Sequence, residues 1–341
     1  MKSFSLFFLI FVANHLTYAE NIAMTKLTGS VDHQNKHHFE AKGFLNSQMK
    51  LTLTIVTGSL ANTELVAKYY STFNFLTISN QTEMHLKLKG TVEQLSQVFN
   101  TTFFEYKCVN KTSRKCFATT TEVYIPTNLQ PYIVGILGLE QVSTFKPRNA
   151  KSSVIKPAAT LTKFLGSTAA NVYGVPSSTG AGIKIGIVSL GGYFLQSDLQ
   201  NYFTQFGLGT APIIQVVLVD GATQDTTDTD SAGENYLDVE IISAVVPQAT
   251  ITFYFAPNIG IQQFYDCIYQ AITNNNVVSL SWGSDEYNIP SSYSQTFQAM
   301  FAQYANVPVF IASGDSGAYS QGSTIVAAGF PNNCPNAIGK N

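Results

Sequence analysis

At 341 residues, with 45 % hydrophobic and 12 % charged residues and a formal net charge of −2, the chain is long enough for two domains and a large core. It lacks the basic excess of a nucleic-acid binder, and past the N-terminus no apolar run reaches the roughly 20 residues of a membrane-spanning helix. Once carboxylates protonate, only 19 Lys and Arg and 5 His remain to repel one another, which limits unfolding in acid.

Lys2 precedes an apolar stretch at residues 4–12, and Thr17-Tyr18-Ala19 ends on a small residue, so residues 1–19 read as a signal peptide. Sequons follow at Asn80, Asn100 and Asn110, in keeping with an extracellular or lysosomal destination. Cys108 and Cys116 flank a short polar loop and are expected to form a local disulfide, whereas Cys267 and Cys334 fit a pair, a buried and a free thiol, or partners of cysteines outside this chain.

Residues 20–145 read as one unit. Apolar positions alternate at 50–56 and 84–89, as in half-buried strands, with a helix between them at 62–73 capped by Asn62 or Thr63. Thr91 caps a second helix at 92–99, with Gln94 completing a capping box. This order predicts a split-βαβ, ferredoxin-like sandwich. Residues 146–159 carry Lys, Pro and Ser without periodicity and read as an exposed, cleavable linker.

Residues 160–341 alternate apolar strands (183–190, 213–219, 250–256, 277–282, 307–312) with helices (197–206 capped by Ser197, then 232–246, 261–273 and 294–304). That pattern predicts an α/β, doubly wound parallel sheet, with ligands beyond the carboxyl ends of its strands. Asp225, Asp228 and Asp230 lack the spacing of a known calcium loop and read as a solvated loop.

The last histidine is His85, so residues 86–341 cannot hold a Ser-His-Asp triad, and any acyl transfer there needs a carboxylate base working in acid. Glu234 and Asp238 stand four apart on one helix face, where a carboxylate pair can share a proton. Asp315 lies in a glycine-bracketed turn after an apolar strand; a buried carboxyl there would stay protonated and donate to an oxyanion. Ser281, Trp282 and Gly283 offer a backbone edge to an extended peptide.

In order and context these segments resemble the sedolisin family, the serine-carboxyl peptidases that include tripeptidyl peptidases and kumamolisin. Gly90-Thr91-Val92-Glu93-Gln94-Leu95 through Phe99 and Pro131-Tyr132-Ile133-Val134-Gly135 through Leu139 look like the family's activation prodomain. Gly233-Glu234, Leu237-Asp238, Tyr254-Phe255-Ala256-Pro257-Asn258, Ser281-Trp282-Gly283 and Ser313-Gly314-Asp315-Ser316-Gly317 look like its catalytic domain, which has a subtilisin-like fold. The resemblance implies Glu234 as general base, Asp238 as its proton-sharing partner, Asp315 as oxyanion donor, a peptide or protein substrate, and the prodomain as intramolecular inhibitor. It also implies a serine nucleophile in a Gly-Thr-Ser-Ala segment, which does not occur; Ser316, Ser320 and Ser323 do not fit that pattern. The expectation is therefore a C-terminally truncated catalytic domain without turnover as it stands. The family's calcium site would fall in the missing portion, so no cofactor is expected in this chain. The alternative is a non-catalytic pseudopeptidase or prodomain-type inhibitor. Residues 160–341 alone are expected to aggregate or behave as a loose globule, and residues 20–145 to fold.

Overall fold

The computed structural model describes residues 22–31, 40–108, 115–141, 145–148, 166–176, 178–320 and 324–340; the signal-peptide residues, Asn110, Ser323 and residues 149–165 lie outside them. In the first unit, β1 (Lys50–Val56), α1 (Leu60–Tyr70), β2 (Thr77–Gln81), β3 (His85–Thr91), α2 (Val92–Phe99) and β4 (Gly135–Leu137) build an antiparallel sheet in the order β2-β3-β1-β4. Pairing Leu53 with Leu88 and Ile55 with Leu86 puts four buried side chains into a cluster with Val66 and Tyr70 of α1 and Leu95 and Phe99 of α2. The alternation read from the sequence is thus the split-βαβ sandwich.

Thr91 forms the expected capping box with Gln94. Helix α1 starts earlier than expected because Ser59, rather than Asn62 or Thr63, is the cap: its hydroxyl accepts from Asn62 N at 3.3 Å. Thr63 is instead buried inside the helix, bonded to the Thr57 hydroxyl. Cys108 and Cys116 form the disulfide. Asn80 and Asn100 are exposed.

The second unit opens with β5 (Lys146–Pro147) and continues through β6 (Lys184–Ser189), α3 (Gln196–Gln205), β7 (Gln215–Leu218), α4 (Thr229–Val245), β8 (Thr250–Phe255), α5 (Ile261–Asn274), β9 (Val277–Leu280), β10 (Trp282–Asp285), α6 (Ser291–Gln303), β11 (Val309–Ala312), β12 (Gly329–Phe330) and β13 (Ile338–Lys340). Six strands form a parallel sheet in the order β7-β8-β6-β9-β11-β13. Ile187, Val188, Ile251, Phe253, Val278, Leu280 and Ile311 are buried, which is why these strands read as continuous apolar runs. The chain leaves β6 toward β7 and β8, then crosses back to β9, so a crevice opens between the carboxyl ends of β6 and β9.

Two caps differ from expectation. Ser197 lies inside the first turn of α3 and makes no cap; that end is held by Tyr236, whose hydroxyl accepts from Leu195 N at 3.0 Å and donates to Asp198 at 2.7 Å. Helix α4 begins before Ala232 because Asp228 caps it, accepting from Ser231 N at 3.1 Å. Cys267 and Cys334 are separate buried thiols, the first donating to Tyr254 O.

The units share a core. Val56 and Leu137 of the first unit pack in one cluster with Phe264, Tyr265, Tyr293 and Phe297 of the second. Around it, Gln262 donates to Thr54 at 2.8 Å, Ser292 to Gly29 O at 2.7 Å, and Lys87 pairs with Asp266 at 2.7 Å and Asp220 at 2.9 Å. His85 lies edge-on to Tyr265 and Tyr269. At the start of the linker Lys146 is exposed, as the sequence led one to expect, but Arg148 is buried, as is Phe145 just before it.

Candidate functional site

Gly191 and Gly192 follow the carboxyl end of β6, where the strand order turns back. A Cβ on Gly191 would stand 3.2 Å from Trp282 Cη2, 3.1 Å from Ser231 Oγ and 2.9 Å from Asp228 Oδ2, so only glycine lets the β6 turn, the start of α4 and the Trp282 ring converge. Asn235 Nδ2 donates to Gly191 O at 2.9 Å and Gly192 N donates to Asp228 Oδ2 at 3.2 Å, clamping α4 onto this turn. Asp228, read as a solvated loop residue, is therefore a structural tie. Asp225 closes its own turn with Thr227, whose hydrogen bonds hold its carboxyl below the usual carboxylate range.

The clamp fixes the face of α4 that carries Glu234, which is buried, and Asp238, which is half-buried. Asp238 accepts the Ser281 hydroxyl at 2.9 Å, joining the carboxylate pair to the proposed peptide edge. Asp315 follows β11, which pairs with β9 in the sheet, but it is exposed, so the expectation of a buried carboxyl fails: the turn lies past the last paired residues of the strand. Its neighbour Gly314, at φ +96°, adopts a conformation that favours glycine and lies against Arg148.

The edge itself is covered. Lys146 and Pro147 pair antiparallel with Gly283 and Trp282, Arg148 N donates to Ser281 O at 2.8 Å, and Phe145 is held at both backbone groups by the Asn258 side chain. The chain's own linker lies where the sequence placed an extended peptide. The Arg148 guanidinium donates to Ser284 O and, at 3.4 Å, to Asp285 Oδ1. Sequence reasoning missed Arg148; it met Asn258 only as part of the Tyr254–Asn258 segment and read Asp228 as a solvated loop residue. The one available signal was that Arg148 is one of two arginines in a chain that otherwise uses lysine. Asn80 and Asn100 lie on the first unit.

Among the described residues no three His, Cys, Asp or Glu side chains converge as a resident metal would require, and no helix is long and apolar enough to cross a membrane.

Residues 38–142 match the family described as "Pro-kumamolisin, activation domain". Kumamolisin of Bacillus sp. (strain MN-32) is 29 % identical over 245 residues, covering 67 % of this chain and 44 % of kumamolisin. Aorsin of Aspergillus oryzae (strain ATCC 42149 / RIB 40) is 24 % identical over 348 residues, covering 75 % of this chain and 52 % of aorsin. The chain thus spans about half the length of the curated relatives it matches. Among solved structures, Pseudomonas sedolisin (serine-carboxyl proteinase) complexed with two molecules of pseudo-iodotyrostatin aligns over 51 % of this chain and 50 % of that one, at 23 % identity and a TM-score of 0.44. The chain is thus similar to kumamolisin and aorsin over two thirds or more of its own length, and within it residues 38–142 match the pro-kumamolisin activation domain.

Proposed function

We propose that the chain belongs to the zymogen of an acid-acting serine peptidase, an endopeptidase or tripeptidyl peptidase, directed into the secretory pathway by residues 1–19 and glycosylated at Asn80, Asn100 and Asn110. Residues 20–145 are the inhibiting prodomain, 146–159 the linker and 160–341 the peptidase portion. In this reading Glu234 withdraws the proton of the attacking serine and Asp238 shares it. Asp315 donates to the tetrahedral oxyanion, and Ser281, Trp282 and Gly283 align the peptide. The nucleophile belongs to a Gly-Thr-Ser-Ala segment, which residues 1–341 do not contain, so this stretch alone binds peptide without turning it over.

One observation carries the reading: a strand of the linker already lies antiparallel on the Trp282–Gly283 edge, as an extended substrate would, beside the serine that donates to Asp238. The test is to purify the native protein, hold it at neutral and at acidic pH, and sequence the new N-termini while following hydrolysis of a peptide mixture. Acid is expected to cut within residues 149–165 and to release hydrolysis that Glu234→Gln abolishes. A linker cut in acid with no hydrolysis, even after dilution that lets the first unit dissociate, would overturn the proposal.

A further inference from the structure

We propose that Asp285 and the glycine-walled slot beside it form a subsite for arginine on a bound peptide, with Arg148 as its resident occupant; the inference rests on reading Ser281, Trp282 and Gly283 as the peptide edge. Arg148 is only 7 % exposed, although it sits on a linker. Its side chain runs back over Gly283 and between Gly314 and Gly329. A Cβ at these three positions would stand 2.7 Å from Nε, 3.8 Å from Cδ and 3.0 Å from Nη2 respectively. The slot is therefore thin, and it fits a flat guanidinium better than a branched or tetrahedral group.

Its polar ends match the same group. Ser284 O accepts from Nη2, and Asp285 Oδ1 accepts from Nη1. Asp285 is itself held in place, its Oδ2 accepting from Tyr287 at 3.2 Å and Ser320 at 2.5 Å. A buried guanidinium without a carboxylate is costly, and so is a fixed carboxylate without a cation, so a neutral side chain in the slot leaves Asp285 uncompensated. Lysine, a point charge, cannot engage the carbonyl and the carboxylate through one planar fork.

The linker does not use everything the slot offers. Arg148 Nε and Asn332 Oδ1 are both buried, and neither forms a hydrogen bond among the described residues. Asn332 Oδ1 also lies against Gly329, 2.3 Å from where its Cβ would be. A donor on the occupant and an acceptor on the wall thus remain open in one slot. An arginine free of the linker's backbone register can satisfy them, which favours substrate over linker once the linker loosens.

The test uses the full-length chain carrying Arg148→Ala, in which the linker keeps only its short strand on the edge. The probes are fluorescent acetyl-Phe-Lys-Pro-Arg-amide and the same peptide ending in lysine or glutamine. The arginine peptide is expected to bind about ten-fold more tightly than either counterpart, with the preference lost on adding Asp285→Asn. Equal binding of the three peptides, or a preference that survives Asp285→Asn, overturns the arginine subsite and leaves the edge reading intact. Binding of none of them overturns both. Arg148→Gln, closer in size, replaces the alanine variant if that fails to fold.

Discussion

Gly135 faces α6 with no room for a methyl group: a Cβ there would stand 2.6 Å from Thr296 Cγ2 and 3.0 Å from Ser292 O. Gly135→Ala should destabilise the full chain by about 1–3 kcal/mol, seen as a lower urea midpoint at unchanged slope. Asp228→Ala removes both a helix cap and the acceptor of Gly192 N, and should cost about 1–2 kcal/mol by the same measurement. Gly135 did not announce itself, nor did the tie from Asp228 to Gly192, because each acts through a segment distant in sequence. Arg148 shows this most plainly, since its carboxylate partner lies 137 residues away. Glu234 and Asp238 were legible because a spacing of four on a helix is a local fact. The exposure of Asp315 was not, because it depends on how a turn leaves the sheet.

The elements were read more reliably than their ends. Alternation in β1 and β3, and unbroken apolar runs in β6, β8 and β9, mark one sheet with an apolar face turned to its own helices and another apolar on both faces. The capping box at Thr91 and Gln94 is a sequence pattern with a direct backbone meaning. Thr91→Ala should therefore lower stability by about 1 kcal/mol, measured as a shift in urea midpoint. The start of α3 could not be read in this way, since a tyrosine from α4 replaces the local cap. Strand β5 has two residues and no periodicity; it exists because the edge of β10 offers unpaired backbone groups.

Across the whole molecule, charge is divided unevenly. From residue 160 onward there are twelve carboxylates and three lysines, whereas residues 20–159 hold fifteen Lys and Arg and nine carboxylates. Lys87 brings the two halves together at Asp220 and Asp266. Beside it, burial first and Lys87 second push His85 down to about 4, with Asp220 acting the other way. A depressed histidine contributes stability that is present above its unfolded value of about 6.5 and lost as pH falls toward about 4, here about 3 kcal/mol. Asp266 has the opposite sign: burial raises its carboxyl, so the folded state takes up that proton first and offsets part of the loss. The urea midpoint of the full chain should fall between pH 6.5 and 4, and His85→Phe should flatten the fall; an unchanged fall would assign it to carboxylates alone. Residues 160–341 expressed alone would bare Tyr265, Tyr293 and Phe297 and should aggregate, which a cooperative melt of that piece would contradict.

The shared core around Val56 and Leu137 separates two events that a zymogen is often assumed to combine. Cutting the linker removes a tether but leaves the apolar contact in place, so a nicked molecule stays closed. While joined, the first unit meets its own cleft at an effective concentration on the order of millimolar; after the cut it faces only what the surroundings supply. The share of cut molecules that remain closed would then rise with protein concentration, making latency a matter of dilution as well as of acid.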